Sequence, residues 1–211
     1  MSDPSAKRLK RLVIVNSAFL DLLDATRTYP ITDKFLSGRS HADQVAEFAS
    51  RGMRLVQLRE KDLSSSEFYR EAEQAMLVAR RHGIKIIIND RVDIALAVNA
   101  DGVHLGQDDL QVEAARRLLG NHVIIGLSTH DLAQAKQAAR LPIDYLAIGP
   151  IFSTATKNNS NPVVGLAGLA AVRQAIPEPL VAIGGINAAN RDAVIAAGAD
   201  AVALISDLWA R

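Results

Sequence analysis

Eight short runs of apolar, largely β-branched residues recur along the chain, and nearly every one ends in a polar or glycine cluster. The runs lie at 29–32, 54–58, 85–88, 102–105, 123–126, 145–148, 180–183 and 201–205. Several are continuously apolar, as in Ile86-Ile87-Ile88, the pattern of a strand buried on both faces of a parallel sheet. Between them, segments 41–50, 65–81, 92–98, 111–119, 132–139, 166–175 and 189–197 carry helical periodicity. Strand and helix in strict alternation predict βα units. An open doubly wound sheet would also alternate, but it usually places one Gly-rich fingerprint after its first strand. Polar residues at the downstream end of almost every strand instead fit a (β/α)8 TIM barrel, where those ends converge on one face.

Local signals set the boundaries. Ser64, Ser65 or Ser66 with Glu67 can cap the helix that follows, and Gly52, Gly83 and Gly198 stand where helices end. Residues 29–211 are read as the catalytic barrel and 1–28 as an N-terminal extension. Leu9, Leu12, Val13, Phe19, Leu20 and Leu23 follow helical spacing, so 5–27 is expected to be an amphipathic helix, with a strand at 12–15 as the alternative. Lys7, Arg8, Lys10 and Arg11 before that run imitate a signal peptide, but Asn16, Ser17 and Asp21 interrupt it and it is too short to span a bilayer.

Composition removes several chemistries. The 211 residues contain no cysteine, which excludes thiol nucleophiles, disulfides and zinc-thiolate sites. A net charge of +1 offers no case for nucleic acid. The expectation is a cytoplasmic protein acting on small molecules, without nucleic-acid or membrane partners; a homo-oligomer stays open.

The strand ends carry the chemistry. Gln57, Arg59 and Lys61 alternate along Gln-Leu-Arg-Glu-Lys and are expected on one side, where two cations and an amide suit an anion; a solvated charge run is the alternative. Asn89 and Asp90 end the third strand, and Gln107, Asp108 and Asp109 follow the fourth. Carboxylates on adjacent loops can hold Mg2+ together with substrate phosphate; either aspartate alone reads as a helix cap, but together, beside Lys61 and Arg59, they favour a metal-diphosphate site. Ser128 either binds a ligand or caps, and His130 caps or is exposed; no Ser-His-Asp signature accompanies them. His104, inside the fourth strand, reads as a hydrogen-bonded interior residue.

The long loop 153–164 brings Thr154, Thr156 and Lys157, groups fit either to close over an anion or to sit on a polar surface. Gly184-Gly185-Ile186 after the seventh strand and Ile205-Ser206 after the eighth occupy the positions where barrels frequently bind phosphate through backbone N–H groups. One face thus offers two anion sites, one of cations and carboxylates, one of backbone donors.

These stretches, in this order and spacing, resemble the thiamine phosphate synthase (thiamine phosphate pyrophosphorylase) family. The resemblance runs from about Tyr29 to Leu208 through Tyr-Pro-Ile-Thr-Asp, Gln-Leu-Arg-Glu-Lys, Ile-Asn-Asp-Arg-Val-Asp, Gly-Val-His-Leu-Gly-Gln-Asp-Asp, Gly-Leu-Ser-Thr-His, Gly-Pro-Ile-Phe, Ile-Gly-Gly-Ile and Gly-Ala-Asp-Ala-Val-Ala-Leu-Ile-Ser. It implies a transferase coupling 4-amino-2-methyl-5-hydroxymethylpyrimidine diphosphate to 4-methyl-5-(2-phosphoethyl)thiazole, or its carboxylated form, with pyrophosphate release. Arg59, Lys61, Ser128 and Lys157 would be catalytic; Gln57, Arg59, Lys61 and Asn89 would bind the diphosphate and neighbouring groups, and Lys157 would reach the diphosphate from the loop. Ser128 would contact the aminopyrimidine, Thr154 and Thr156 the thiazole phosphate, and Gly185, Ile205 and Ser206 its phosphoryl group. Asp90 and Asp109 would ligate Mg2+. The chain departs from the family pattern in the long loop, with Ser153 in place of Pro and Asn158, Asn159 and Ser160 where an acidic residue usually follows Thr-Lys. Rival readings are a thiazole tautomerase-like relative, a non-catalytic thiamine-precursor binding barrel, and a sugar-phosphate isomerase or epimerase barrel, which would need an acid/base pair.

Overall fold

The computed structural model describes residues 19–23, 27–154 and 161–209. Its strands are β1 Thr28–Pro30, β2 Leu55–Leu58, β3 Lys85–Asn89, β4 Gly102–Leu105, β5 Ile124–Thr129, β6 Tyr145–Ile148, β7 Leu180–Ile183 and β8 Ala201–Leu204. The helices are α1 Lys34–Ser37, α2 His41–Ser50, α3 Ser65–His82, α4 Val92–Ala97, α5 Val112–Leu119, α6 Leu132–Ala138, α7 Gly165–Ala175 and α8 Arg191–Ala196. The strands pair in parallel in the order β1-β8-β7-β6-β5-β4-β3-β2. A bridge between Ile31 and Gln57, with Thr32 N donating to Gln57 O at 2.9 Å, joins the two ends. The result is the expected (β/α)8 TIM barrel.

Each strand has two buried faces, which is why the apolar runs are continuous. Outward residues such as Val56, Leu58, Ile86, Ile88, Val103, Ile125, Leu146 and Ile148 pack against the helices. Inward residues, among them Tyr29, Ile31, Leu55, Ile87, Tyr145, Ala147, Val181 and Ala203, form a second core inside the barrel. Burying one such aliphatic side chain stabilises by about 1.5–3 kcal/mol, so the two cores together fix the closed sheet.

The helix ends follow their side chains. Ser64 accepts from Glu67 N at 3.3 Å while the Glu67 carboxylate accepts from Ser64 N at 3.0 Å, a reciprocal capping box that starts α3. Gly83 ends it at φ +69°, a left-handed conformation that costs an L side chain energy. The short α1 carries no periodic signal in the sequence: Asp33 caps its start and Gly38 its end, and four residues are too few to show a repeat.

Most of the helix expected over 5–27 lies outside the described residues; within them, Phe19 and Leu20 are helical and a turn follows. Phe19 stacks on Tyr145, the first residue of β6, with ring centroids 4.3 Å apart and planes 9° from parallel. Asp21 O accepts from Arg54, just before β2, at 3.0 Å. The segment therefore closes the upstream end of the barrel. No helix of the described residues is long and apolar enough to cross a membrane.

Candidate active site

At the downstream mouth the strand ends enclose one cavity. Gln57 and Arg59 from β2 and its loop, Asn89 from β3 and Ser128 from β5 line one side. Thr154, Gly184, Gly185, Ile205 and Ser206 line the other. The apolar floor includes Ile31, Ala147 and Val181. Polar groups converging on an apolar concavity at this end of a barrel form the site at which such folds act.

Arg59 is held firmly. Its backbone N donates to Thr32 Oγ1 at 3.1 Å, and its guanidinium donates to Asp33 Oδ2 at 3.1 Å. Its Nε is buried without a hydrogen-bond partner among the described residues. A cation with an unused buried donor at a cavity wall is prepared for an anionic ligand.

Lys61 is not among the residues that line this cavity with Gln57 and Arg59, but it lines an adjoining hollow together with Arg59. Strand β2 ends at Leu58, so the period of two lapses and the chain bends at Lys61. Glu60 pins that bend by accepting from Lys61 N, Asp62 N and Leu63 N. Burial pushes the Glu60 carboxyl up, but these backbone donors outweigh it and hold it below its ordinary value. Lys61 instead forms an ion pair with Asp90 on the adjoining rim.

Asp90 is not a helix cap. Helix α4 begins after Arg91 with no side-chain cap, and Asp90 itself takes φ +63°, an uncommon backbone state for a residue with a side chain. Asp109 Oδ2 accepts from Gly106 N at 2.7 Å, and its carboxyl feels the charge of Asp90. Partial burial, followed by the Asp90 charge, pushes the Asp109 pKa up. Two carboxylates that disfavour each other's charge are a place where a cation relieves repulsion. Among the described residues no group of three or more His, Cys, Asp or Glu gathers as a metal cage. The pair stands at the same mouth as the Gly184-Gly185 turn, beside the cavity lining rather than in it.

Contacts at the end of β5 show which residue caps the next helix. Asp131, not Ser128 or His130, caps α6, accepting from Gln134 N at 2.8 Å. His130 lines the cavity with Nδ1 donating to Gly149 O at 2.7 Å. Ser128 Oγ bonds His104 Nε2 at 2.8 Å, and Gln107 Nε2 donates to Ser128 O at 2.5 Å.

A family model described as thiamine monophosphate synthase matches residues 28–208, the whole of this barrel. The chain belongs to the thiamine monophosphate synthase family. It is similar to the thiamine-phosphate synthase of Chloroflexus aurantiacus, 50% identical over 181 residues, covering 85% of this chain and 83% of that one. The thiamine-phosphate synthase of Albidiferax ferrireducens is 48% identical over 189 residues, covering 89% and 86%. A solved structure of thiamine phosphate pyrophosphorylase from Pyrococcus furiosus superposes with a TM-score of 0.78 at 35% identity, covering 86% of each chain. This member of the thiamine monophosphate synthase family is accordingly an enzyme, a transferase.

In this thiamine monophosphate synthase relative, Gln57, Arg59, Asn89, Ser128, Thr154, Gly185, Ile205 and Ser206 share the cavity, and Lys61, Asp90 and Asp109 cluster on its rim. Thr156, Lys157, Asn158, Asn159 and Ser160 lie outside the described residues, while Ser153 is described and its carbonyl stands against Gly185. Sequence reasoning missed Tyr29 and Tyr145, buried polar rings that run beneath the site; inside apolar runs they read as core. Gly126 was the available signal, because a glycine within a strand marks a close approach, and here the Tyr145 ring occupies the space its side chain would fill.

Proposed function

We propose that this chain is a thiamine-phosphate synthase that joins 4-amino-2-methyl-5-hydroxymethylpyrimidine diphosphate to 4-methyl-5-(2-phosphoethyl)thiazole, or its carboxylated form. The observation that carries this reading is the division of one cavity between a cationic wall at Arg59 and a glycine turn at Gly184 and Gly185. Two anionic substrates can lie there with their reacting atoms between the two walls. The bond from the pyrimidine methylene to the diphosphate oxygen breaks, and its electron pair leaves with the diphosphate. The thiazole nitrogen lone pair then forms the new C–N bond, leaving the positive charge on the thiazolium ring; with the carboxylated form, the ring carboxylate also leaves as CO2 and a proton takes its place on the ring carbon.

No protein nucleophile takes part. Arg59 and Lys61 would hold the diphosphate and stabilise the charge that develops on its leaving oxygen. Asn89 and Ser128 would orient the pyrimidine, and Gln57 acts beneath them. Backbone N–H groups around Gly185, Ile205 and Ser206, with Thr154, would hold the thiazole phosphate. Thr156 and Lys157 would complete the anion sites from the long loop. Asp90 and Asp109 fit Mg2+, which takes one or two carboxylates plus waters and substrate phosphates. When bound, Mg2+ would neutralise the leaving diphosphate. What the chain itself contributes is orientation and a preformed field at the point of bond cleavage.

The test is turnover. Purified protein given both substrates and Mg2+ should release pyrophosphate and form thiamine phosphate in equal amounts, and omission of either substrate should abolish product. Folded protein that forms none above background would refute the reading.

A further inference from the structure

Beneath the cavity runs a continuous chain of hydrogen bonds. Gln57 Nε2 donates to Tyr29 Oη at 3.2 Å, and Tyr29 Oη meets Tyr145 Oη at 2.9 Å. Tyr145 Oη meets His104 Nδ1 at 2.8 Å, and His104 Nε2 meets Ser128 Oγ at 2.8 Å. Gln57, Tyr29, Tyr145 and His104 are all buried, with 0–7% of their surface exposed. At the far end, Ser128 and His104 line the cavity.

The direction of this chain follows from proton counting. An amide NH2 only donates, so Tyr29 receives from Gln57. Its single proton then goes to its other partner, Tyr145. Tyr145, having received one, donates its own to His104 Nδ1. A ring nitrogen that accepts carries no proton, so the neutral imidazole bears its proton on Nε2 and donates it to Ser128 Oγ. The serine therefore keeps its own hydroxyl proton. Among the described residues, its oxygen makes no other hydrogen bond that could take that proton. Burial pushes both phenols well above their ordinary pKa, so each retains the proton this count requires.

We infer that Gln57, Tyr29, Tyr145 and His104 form a one-way hydrogen-bond relay that fixes the Nε2–H tautomer of His104 and makes Ser128 an obligate donor toward the ligand. The ligand atom facing Ser128 must then be an acceptor. On an aminopyrimidine that atom is a ring nitrogen and not the exocyclic amine. This specificity rests on the proposed function; the tautomer does not. Tyr29 and Tyr145 are positioning residues, and Phe19 and Gly126 hold Tyr145 in place. Phe19 stacks on one side of its ring, and a Cβ at residue 126 would lie 2.1 Å from the Tyr145 ring.

The experiment is long-range proton–nitrogen NMR of the full chain labelled with 15N-histidine, at a pH well above the ordinary imidazole pKa of about 6.5. The His104 signals are assigned by their absence in His104→Gln. A single Nε2–H tautomer is expected in the unsubstituted protein. An Nδ1–H tautomer there overturns the relay, since it requires every bond to run the other way. Tyr145→Phe removes the donor to Nδ1 with the ring retained. It should yield a mixture of tautomers and raise the KM for the pyrimidine substrate about fivefold, the scale of one neutral hydrogen bond. An unchanged tautomer in a folded Tyr145→Phe protein also overturns it. If that variant does not fold, the unsubstituted spectrum still decides the direction. A pyrimidine analogue with C–H in place of the ring nitrogen should bind about tenfold more weakly than its parent to the unsubstituted protein, the scale of an unpaired buried donor, and equally to Ser128→Ala. Equal discrimination by both proteins would overturn the ligand assignment at Ser128, separately from the tautomer.

Discussion

Lys61 and Asp90 form an ion pair between the loops that follow β2 and β3, and the Asp90 charge also acts on the carboxyl of Asp109 in the loop after β4. Three charged groups from three successive βα loops thus meet on one rim. None is adjacent to another in sequence, and the geometry holds Asp90 at a backbone angle that most residues avoid. Strain retained at a cluster of opposed charges indicates that the surrounding loops enforce the arrangement.

Asp90→Asn should separate charge from shape. Asparagine tolerates the same left-handed backbone, so the melting temperature should stay within a few degrees. Pyrophosphate release should fall about 100-fold, the scale of one lost electrostatic contact at a developing charge. Calorimetric affinity for the thiazole phosphate should be unchanged. Unaltered turnover would remove Asp90 from the metal and diphosphate site.

Gly185→Val should be more disruptive than a blocked phosphate cradle alone would suggest. At φ +66°, a Cβ at this position would meet Ser153 O at 2.6 Å and Phe152 Cβ at 2.8 Å. The first obstacle is the loop after β6, not the ligand. A loss of about 1–3 kcal/mol in urea-unfolding stability is expected, together with weaker thiazole phosphate binding. Loss of affinity with native stability would show that the loop gives way instead.

The largest stability effect is expected far from the chemistry. Arg116 on α5 and Asp144 before β6 are both buried and paired at 2.7 Å. Asp144 also accepts from Ile125 N at 2.7 Å, and Arg116 donates to Pro142 O. Asp144→Ala would leave a buried guanidinium without its counter-ion, a loss of about 3–5 kcal/mol. Denaturant titration should show that loss; a change under about 1 kcal/mol would mean that the carbonyls alone satisfy Arg116.

His41 should make stability fall in acid. It is fully buried, with Nδ1 2.7 Å from Thr32 Oγ1, and burial lowers its pKa from 6.5 despite the opposing charges of Glu60 and Glu71. Because the unfolded chain binds a proton at higher pH than the native one, this contribution is complete above about pH 6.5 and declines below it, toward the lowered native pKa. The urea midpoint of the unsubstituted protein should therefore drop more steeply between neutral and mildly acidic pH than that of His41→Gln. Parallel curves would contradict it.

Much of the barrel was legible because its strands have no wet face: continuous apolar runs located all eight. Strand ends were less certain where polar residues are themselves buried. Strand β5 continues to Thr129, beyond the apolar run, because Thr129 donates its hydroxyl to Ala147 O at 2.9 Å. Lys61 turns to Asp90 at the edge of a hollow it shares with Arg59, because strict alternation ends with β2. The relay beneath Ser128 was invisible because a tyrosine in an apolar run gives no sign of the partner its hydroxyl will find.

The order of residues alone determined the βα alternation, the polar clusters at the strand ends and the absence of a thiol, since each depends only on local composition and period. Tertiary structure decided which of those clusters meet. Barrel closure sets residues 29 and 145, or 61, 90 and 109, side by side, and no local pattern encodes such distances. For the same reason only the folded chain shows that Asp90 does not cap the helix that follows it.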